Sequence, residues 1–278
     1  MNSAQEINVE IYYAETPDKM EIKSHFHNSH EILFILEGNA AVQINDKSYL
    51  CKSGDLIFIS NLESHNLEIT TYPYKRFFLL VNPQYFQGIM KDPLLASILK
   101  HRPEHFSHVV SLSPDHRKVF IEYMKKMNSE SLYRDEYSEN LIGCYLQVLL
   151  TDLFRNYREA FPLSHFNISM SAVLEVQRYL EENYKEDLTL ETIAKKFYIN
   201  RYYLSHQFKE ITGFSFKEYL ILQRISRAKQ LLFQTSFNIT EVGTEAGFNN
   251  VNHFIRIFKK YEGITPYQYR KIICNSKE

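Results

Sequence analysis

Residues 203–220 read YLSHQFKEITGFSFKEYL, and residues 254–270 read FIRIFKKYEGITPYQYR. Laid over each other at a spacing of 50, they pair Leu204 with Phe254, Phe208 with Phe258, Lys209 with Lys259, Gly213 with Gly263 and Tyr219 with Tyr269. Upstream the spacing is 49, pairing Ile193 with Val242, so the second copy holds one extra residue. The reading places it at Ala246-Gly247-Phe248, where Gly247 can supply a positive φ. Thr189 before Leu190-Glu191 signals a helix start, 216–233 reads as one long helix, and 239–246 as another short one. Each copy is therefore short helix, tight turn, second helix, the helix-turn-helix plan.

In the second helix of each copy, Leu204 and Phe208, or Phe254 and Phe258, stand at i and i+4 and face a core. The opposite faces are then fixed. They carry Arg201, Tyr202, Ser205, His206 and Lys209 in the first copy, and Asn250, Asn252, His253, Arg256 and Lys259 in the second. Such a face is usually just solvated, but its duplication argues for a working surface. Arginine pairs with guanine and asparagine with adenine in the major groove. A connecting helix of about 18 residues is about 27 Å long, which with its loops brings the two helices near the roughly 34 Å of one DNA turn.

Residues 188–270, including RISRAKQLL and ITEVGTEAGF, resemble the DNA-binding domain of the AraC/XylS transcription regulators. The resemblance implies that helices 200–211 and 250–261 are recognition helices. It implies base contacts by Tyr202, Ser205, His206, Asn252 and Arg256, and phosphate contacts by Lys209, Lys259 and the N-termini of the short helices. The first copy departs from the family pattern, with Asn200-Arg201 in place of Ser-Pro and His206 where arginine is common; Val242-Gly243 replaces Ile-Ala.

The first 82 residues read as strands: EILFIL (31–36), NAAVQIN (39–45), DLIFIS (55–60) and RFFLLV (76–81), with turn signals at Gly38, Asn45-Asp46 and Ser53-Gly54-Asp55. Short strands with tight turns mean an all-β sandwich or barrel. After Asn82-Pro83 the period becomes helical, with helices expected at 83–101, from Ser113-Pro114, and at 135–158. In the last, Ile142, Leu146, Leu149 and Leu153 form a stripe that either packs on the barrel or joins two chains. A polar stretch at 158–169 separates this part from the helical region. The expected architecture is α+β and multidomain: a cupin-like barrel (1–82), a helical linker or dimerisation segment (83–160) and an all-α DNA-binding domain (168–278).

In SHFHNSHEILFILEG (24–38), His25 and His27 project to one side of a strand, Glu31 opens the next, and His65 follows later. The spacing resembles the first cupin motif, with His65 placed as the histidine of the second. These four residues either ligate a divalent transition metal, bind an effector by hydrogen bonds, or are structural. His30 breaks the spacing. Alternation adds Leu33, Ile35, Arg76, Phe78 and Leu80 to the pocket wall; the family resemblance implies that Tyr12 and Tyr13, near the N-terminal arm, close over a sugar ring by stacking, the alternative being ordinary aromatic packing.

The chain has 278 residues with 20 Tyr, 20 Phe and only 8 Gly and 8 Pro, which excludes collagen-like and disordered classes. Cys51, Cys144 and Cys274 have no CxxC spacing, and no run approaches the roughly 18 apolar residues of a membrane span. A cytoplasmic protein without membrane partners is expected. Residues 168–278 hold 16 Lys and Arg against 12 Asp and Glu, residues 1–167 hold 16 against 21, so the C-terminal part is the basic one. No phosphate-binding glycine loop, GxSxG or HExxH is present, so no catalytic residue is assigned and no cofactor is required. The leading expectation is a ligand-responsive regulator; the family resemblance further implies a sugar effector and activation of carbohydrate-utilisation genes. Its expected partners are double-stranded DNA, a small-molecule effector, RNA polymerase and a second copy. The alternatives are a metal-dependent cupin enzyme fused to a DNA-binding domain and a constitutive regulator whose barrel only dimerises.

Overall fold

The computed structural model describes residues 8–18, 21–102, 106–161 and 168–275. The chain divides into an N-terminal unit, Glu6–Phe166, and a helical unit from Asn167 onward. Within the polar stretch 158–169, residues 162–167 lie outside the described residues.

The N-terminal unit begins with β1 (Val9–Thr16), β2 (Glu21–His25), β3 (His30–Ile44), β4 (Lys47–Lys52), β5 (Asp55–Ile59) and β6 (His65–Val81). Helices α1 (Pro83–Ile89) and α2 (Pro93–Lys100), strand β7 (Val109–Ser111), and helices α3 (Pro114–Tyr133) and α4 (Ser138–Asn156) follow. The strands make one antiparallel sheet ordered β1-β6-β3-β5-β7, with β2 on β6 and β4 on β3. Gly38 does not end a strand as the sequence suggested; β3 runs through it. Its φ is +82, and a Cβ there would lie 2.5 Å from the carbonyl oxygen of Thr71, so only glycine lets β3 bend this close to β6. The leading half of β3 pairs with Arg76–Val81 and with β5, the trailing half with His65–Thr71 and with β4. The bend folds these halves toward each other, giving the cupin-like shape.

Alternation sorts the side chains. Ile32, Phe34, Leu56, Phe58, Phe77 and Leu79 face the helices, whereas Leu33, Val42, Ile57, Ile59 and Leu67 face the interior of the fold. The helix read at 83–101 is two helices, because Pro93 has no N–H to continue the first and Asp92 caps the second with a 3.0 Å bond to the Leu95 amide. The stripe Ile142, Leu146, Leu149 and Leu153 is at most 2% exposed. It joins the core between α4 and the sheet, so it is not available to join two chains. The three-residue β7, between the helix expected at 83–101 and the one expected from Ser113, pairs with β5.

The second unit comprises α5 (Ile168–Asn183), α6 (Leu190–Lys196), α7 (Arg201–Thr212), α8 (Phe216–Gln234), α9 (Ile239–Glu245), α10 (Val251–Glu262) and α11 (Pro266–Asn275). The duplication is structural as well as sequential. Phe208 meets Tyr219 edge-on at 5.4 Å, and Phe258 meets Tyr269 at 5.5 Å. Gly213 and Gly263 end α7 and α10 at φ +79 and +76.

The turns are also alike, which moves the extra residue. Tyr198 (φ 54) and Gly247 (φ 91) both take the left-handed conformation. The amides of Ile199 and Phe248 close the turns on Ala194 and Gly243 at 2.9 Å each. The insertion is therefore Asn249, just before the N-cap Asn250, and not within 246–248. Tyr198 is 97% exposed, whereas a Cβ on residue 247 would lie 2.9 Å from the Tyr184 carbonyl. Tyr198→Gly is expected to stabilise this unit by about 0.5–1 kcal/mol, and Gly247→Ala to destabilise it by about 2 kcal/mol. Urea unfolding of the two variants checks this; a loss of stability in Tyr198→Gly would mean that its left-handed backbone carries no strain.

Candidate ligand pocket and nucleic-acid interface

A cavity of about 180 Å³ opens between the folded halves of the sheet. One end is polar and holds His25, His27, Glu31 and His65; the walls include Leu33, Val42, Ile57, Ile59 and Phe78, and Arg76 lies among them. Each imidazole is oriented by a backbone carbonyl: His25 Nδ1 lies 2.9 Å from Lys23 O, His27 Nδ1 3.1 Å from Ser29 O, and His65 Nδ1 2.9 Å from Glu63 O. A carbonyl only accepts, so each Nδ1 carries the proton and donates, which leaves Nε2 to the cavity. His27 Nε2 and His65 Nε2 stand 3.2 and 3.4 Å from Glu31 Oε2. Burial pushes the Glu31 carboxyl up, but hydrogen bonds from His27 and His65 outweigh it and hold the group far below the usual range. Burial lowers His65, yet Glu31 overrides it and the net shift is upward; His25 is lowered by burial and by its neighbour His65.

His25, His27 and His65 each offer a ligand atom, and these lie within 4.8 Å of one another. Carbonyl-anchored Nδ1 atoms are the usual support of metal-binding imidazoles. Closing to the roughly 3.3 Å separation that bonds of about 2.05 Å require asks only for small side-chain movements. The donor set fits a divalent transition metal.

Of the sequence-assigned pocket residues, the structure brings His25, His27, Glu31, Leu33, His65, Arg76, Phe78 and Leu80 together. Ile35 faces the same way but is fully buried in the core, outside the lining. Tyr12 is 42% exposed and outside the lining, with its ring 5.0 Å from Phe78 and its hydroxyl on Glu10. Tyr13 packs on Phe77, on the opposite face, so the two tyrosines cannot close over one ring. Sequence reading missed Ile22, Val42, Ile57, Ile59, Asn66 and Leu67. Alternation along 55–60 was a usable signal for Ile57 and Ile59; nothing local marked β2. His30 is buried, accepts from the Asn61 amide at 3.2 Å and packs on Phe86.

Behind His65 lies a second cluster that the sequence did not reveal. Glu63, 2% exposed, accepts from the Ser60 amide (2.6 Å), from Arg102 Nε (3.3 Å) and from His108 Nε2 (3.0 Å). His108 Nδ1 in turn faces the Tyr49 hydroxyl at 2.9 Å.

In the helical unit Leu204, Phe208, Phe254 and Phe258 are fully buried. Arg201, Tyr202, Ser205, His206 and Lys209 on α7 are all exposed, as are Asn250, Asn252, His253, Arg256 and Lys259 at and along α10. Asn250 Oδ1 caps α10 through the His253 amide at 2.9 Å, leaving its NH₂ group to face outward. Among the described residues no helix is long and apolar enough to cross a membrane.

Residues 6–142 match the AraC-like ligand binding domain, and residues 193–272 match a helix-turn-helix domain. The chain is 27% identical to the Msm operon regulatory protein of Streptococcus mutans, over 98% of this chain and 95% of that one. It is 22% identical to the HTH-type transcriptional activator RhaS of Enterobacter sp., over 89% and 87%. The crystal structure of ToxT from Vibrio cholerae O395 superposes with a TM-score of 0.58 at 15% identity, covering 95% of this chain and 97% of that one.

Proposed function

The chain belongs to the AraC/XylS family of ligand-responsive, DNA-binding transcription regulators, and on that premise we propose that it activates carbohydrate-utilisation genes in the cytoplasm when a sugar-class effector fills the pocket. The carrying observation is the duplicated pair of exposed polar faces over one repeated aromatic core. In this reading Tyr202, Ser205, His206, Asn252 and Arg256 meet base edges, with Arg201, Asn250 and His253 beside them, while Lys209 and Lys259 hold phosphates. The 19-residue α8, about 28 Å long, spaces two successive major-groove contacts. RNA polymerase and a second copy complete the working assembly. Activation is supported by the name of RhaS, a transcriptional activator.

The effector acts only if it binds one arrangement of the chain better than another. Mobility-shift titrations of the promoter at fixed salt, with and without candidate sugars, are expected to show a change in affinity or site spacing. No change with any sugar counts against the effector reading.

The histidine cluster favours one second reading, a metal-dependent cupin activity. Metal analysis of the purified protein decides: stoichiometric transition metal lost in His25→Ala supports it, and metal-free protein removes it.

A further inference from the structure

Two buried arginines in the N-terminal unit are treated differently. Arg102 has the Glu63 carboxylate and the carbonyls of Ile98 and His101. Arg76 is 6% exposed and lines the cavity, yet among the described residues its one hydrogen bond is Nη1 to the Thr16 hydroxyl at 3.3 Å. Its charge otherwise rests over the rings of Tyr74 and Phe78, at 5.2 and 5.8 Å. Among the described residues no carboxylate pairs with it. A buried guanidinium without an anion is costly, and its planar fork matches a carboxylate or phosphate. We propose that the anion is supplied by the effector: the ligand is a small hydroxylated anion, a sugar acid or sugar phosphate, whose charged group pairs with Arg76.

The register sets the size of this ligand. Glu31 stands opposite Leu80 and Ile35 opposite Arg76, so four residues, about 13 Å at 3.3 Å each, separate the two polar levels. Arginine and glutamate side chains shorten that span from both ends to about one sugar ring with one substituent. At the far end Glu31 Oε2 is occupied by His27 and His65. Oε1 and the Nε2 of His25 remain to meet hydroxyls. The apolar walls between them exclude water and raise the value of both contacts.

This inference rests on the pocket being the effector site, and the test separates the two. D-glucose, D-glucuronate and D-glucose 6-phosphate share one ring and differ in charge at one carbon. Calorimetric titration of the full chain is expected to show at least one of the anions binding tenfold or more tightly than glucose, with Arg76→Met bringing all three within about twofold. Preference for glucuronate assigns a carboxylate, preference for the phosphate ester a phosphate. Melting of the protein without ligand controls for folding. Arg76→Met is expected to melt at the wild-type temperature or above it, since it removes an unpaired buried charge, and inorganic phosphate is expected to raise the melting temperature of the wild type alone. A lower melting temperature for Arg76→Met would assign the guanidinium to holding Tyr74 and Phe78 and overturn the proposal. Glucose binding as tightly as the anions, with loss in Glu31→Gln, also overturns it while leaving the pocket as the effector site. Failure of all the sugars and of phosphate to bind overturns both.

Discussion

Replacing Glu63 with alanine is expected to cost the N-terminal unit about 3–5 kcal/mol, the usual consequence of stranding a buried charge. Arg102 is 7% exposed, and Glu63 is its carboxylate partner. Removing Glu63 leaves the guanidinium on backbone carbonyls and the ring of Phe106, 4.4 Å away. The same change strips the acceptor from His108 and from the Ser60 amide. Calorimetric melting of the full chain reads the loss, and a loss below about 1 kcal/mol would show that water reaches the site. The double variant Glu63→Leu, Arg102→Met is expected to recover most of it, because an apolar pair of similar volume leaves no charge stranded. Acid acts in the same sense. Burial pushes the Glu63 carboxyl up, but the charge of Arg102 and hydrogen bonds from His108 and Ser60 bring it down to about 2, against an ordinary 4.5. A depressed carboxyl contributes stability that is complete above pH 4.5 and lost as the pH falls toward 2. Glu63→Ala is expected to flatten that part of the stability profile.

The second large effect concerns DNA. Arg256→Ala is expected to weaken operator binding by about 1–3 kcal/mol and to relax preference at one or two base pairs, as loss of a bidentate guanine contact does. Lys259→Ala is expected to weaken all sequences alike and to lower the salt slope by about one unit. Both residues are exposed on α10, three positions apart, so the comparison tests which part of that face meets bases. Binding selections from random DNA at two salt concentrations check it. Equal, sequence-independent losses would place Arg256 on the phosphate backbone.

The duplicated half was legible because its information is local. The apolar pairs at i and i+4, the terminating glycines and the capping residues each lie within a few positions of what they determine. The polar end of the pocket was legible for the same reason, since His25, His27 and Glu31 lie within seven residues, but not as one strand: His25 ends β2, Glu31 lies at the start of β3, and His27 sits in the turn between them. Ile35 shows the limit of alternation, which gives the face a side chain takes and not how far along that face the cavity reaches. The partners of Glu63 lie 39 and 45 residues away, and no local pattern joins them. The break at Pro93 was visible and was overridden by an otherwise helical period. The continuity of β3 through Gly38 was hidden because a glycine that bends a strand reads the same as one that ends it.

Leu33 and Phe34 are neighbours in the chain with different surroundings: Leu33 borders the cavity, and Phe34 lies 5.1 Å from Phe120 of α3. The partition between the cavity and the helices is one sheet layer thick, with side chains alternating between its two faces. On the proposed effector reading, the backbone shared by Leu33 and Phe34 is the shortest connection between an occupant of the cavity and α3.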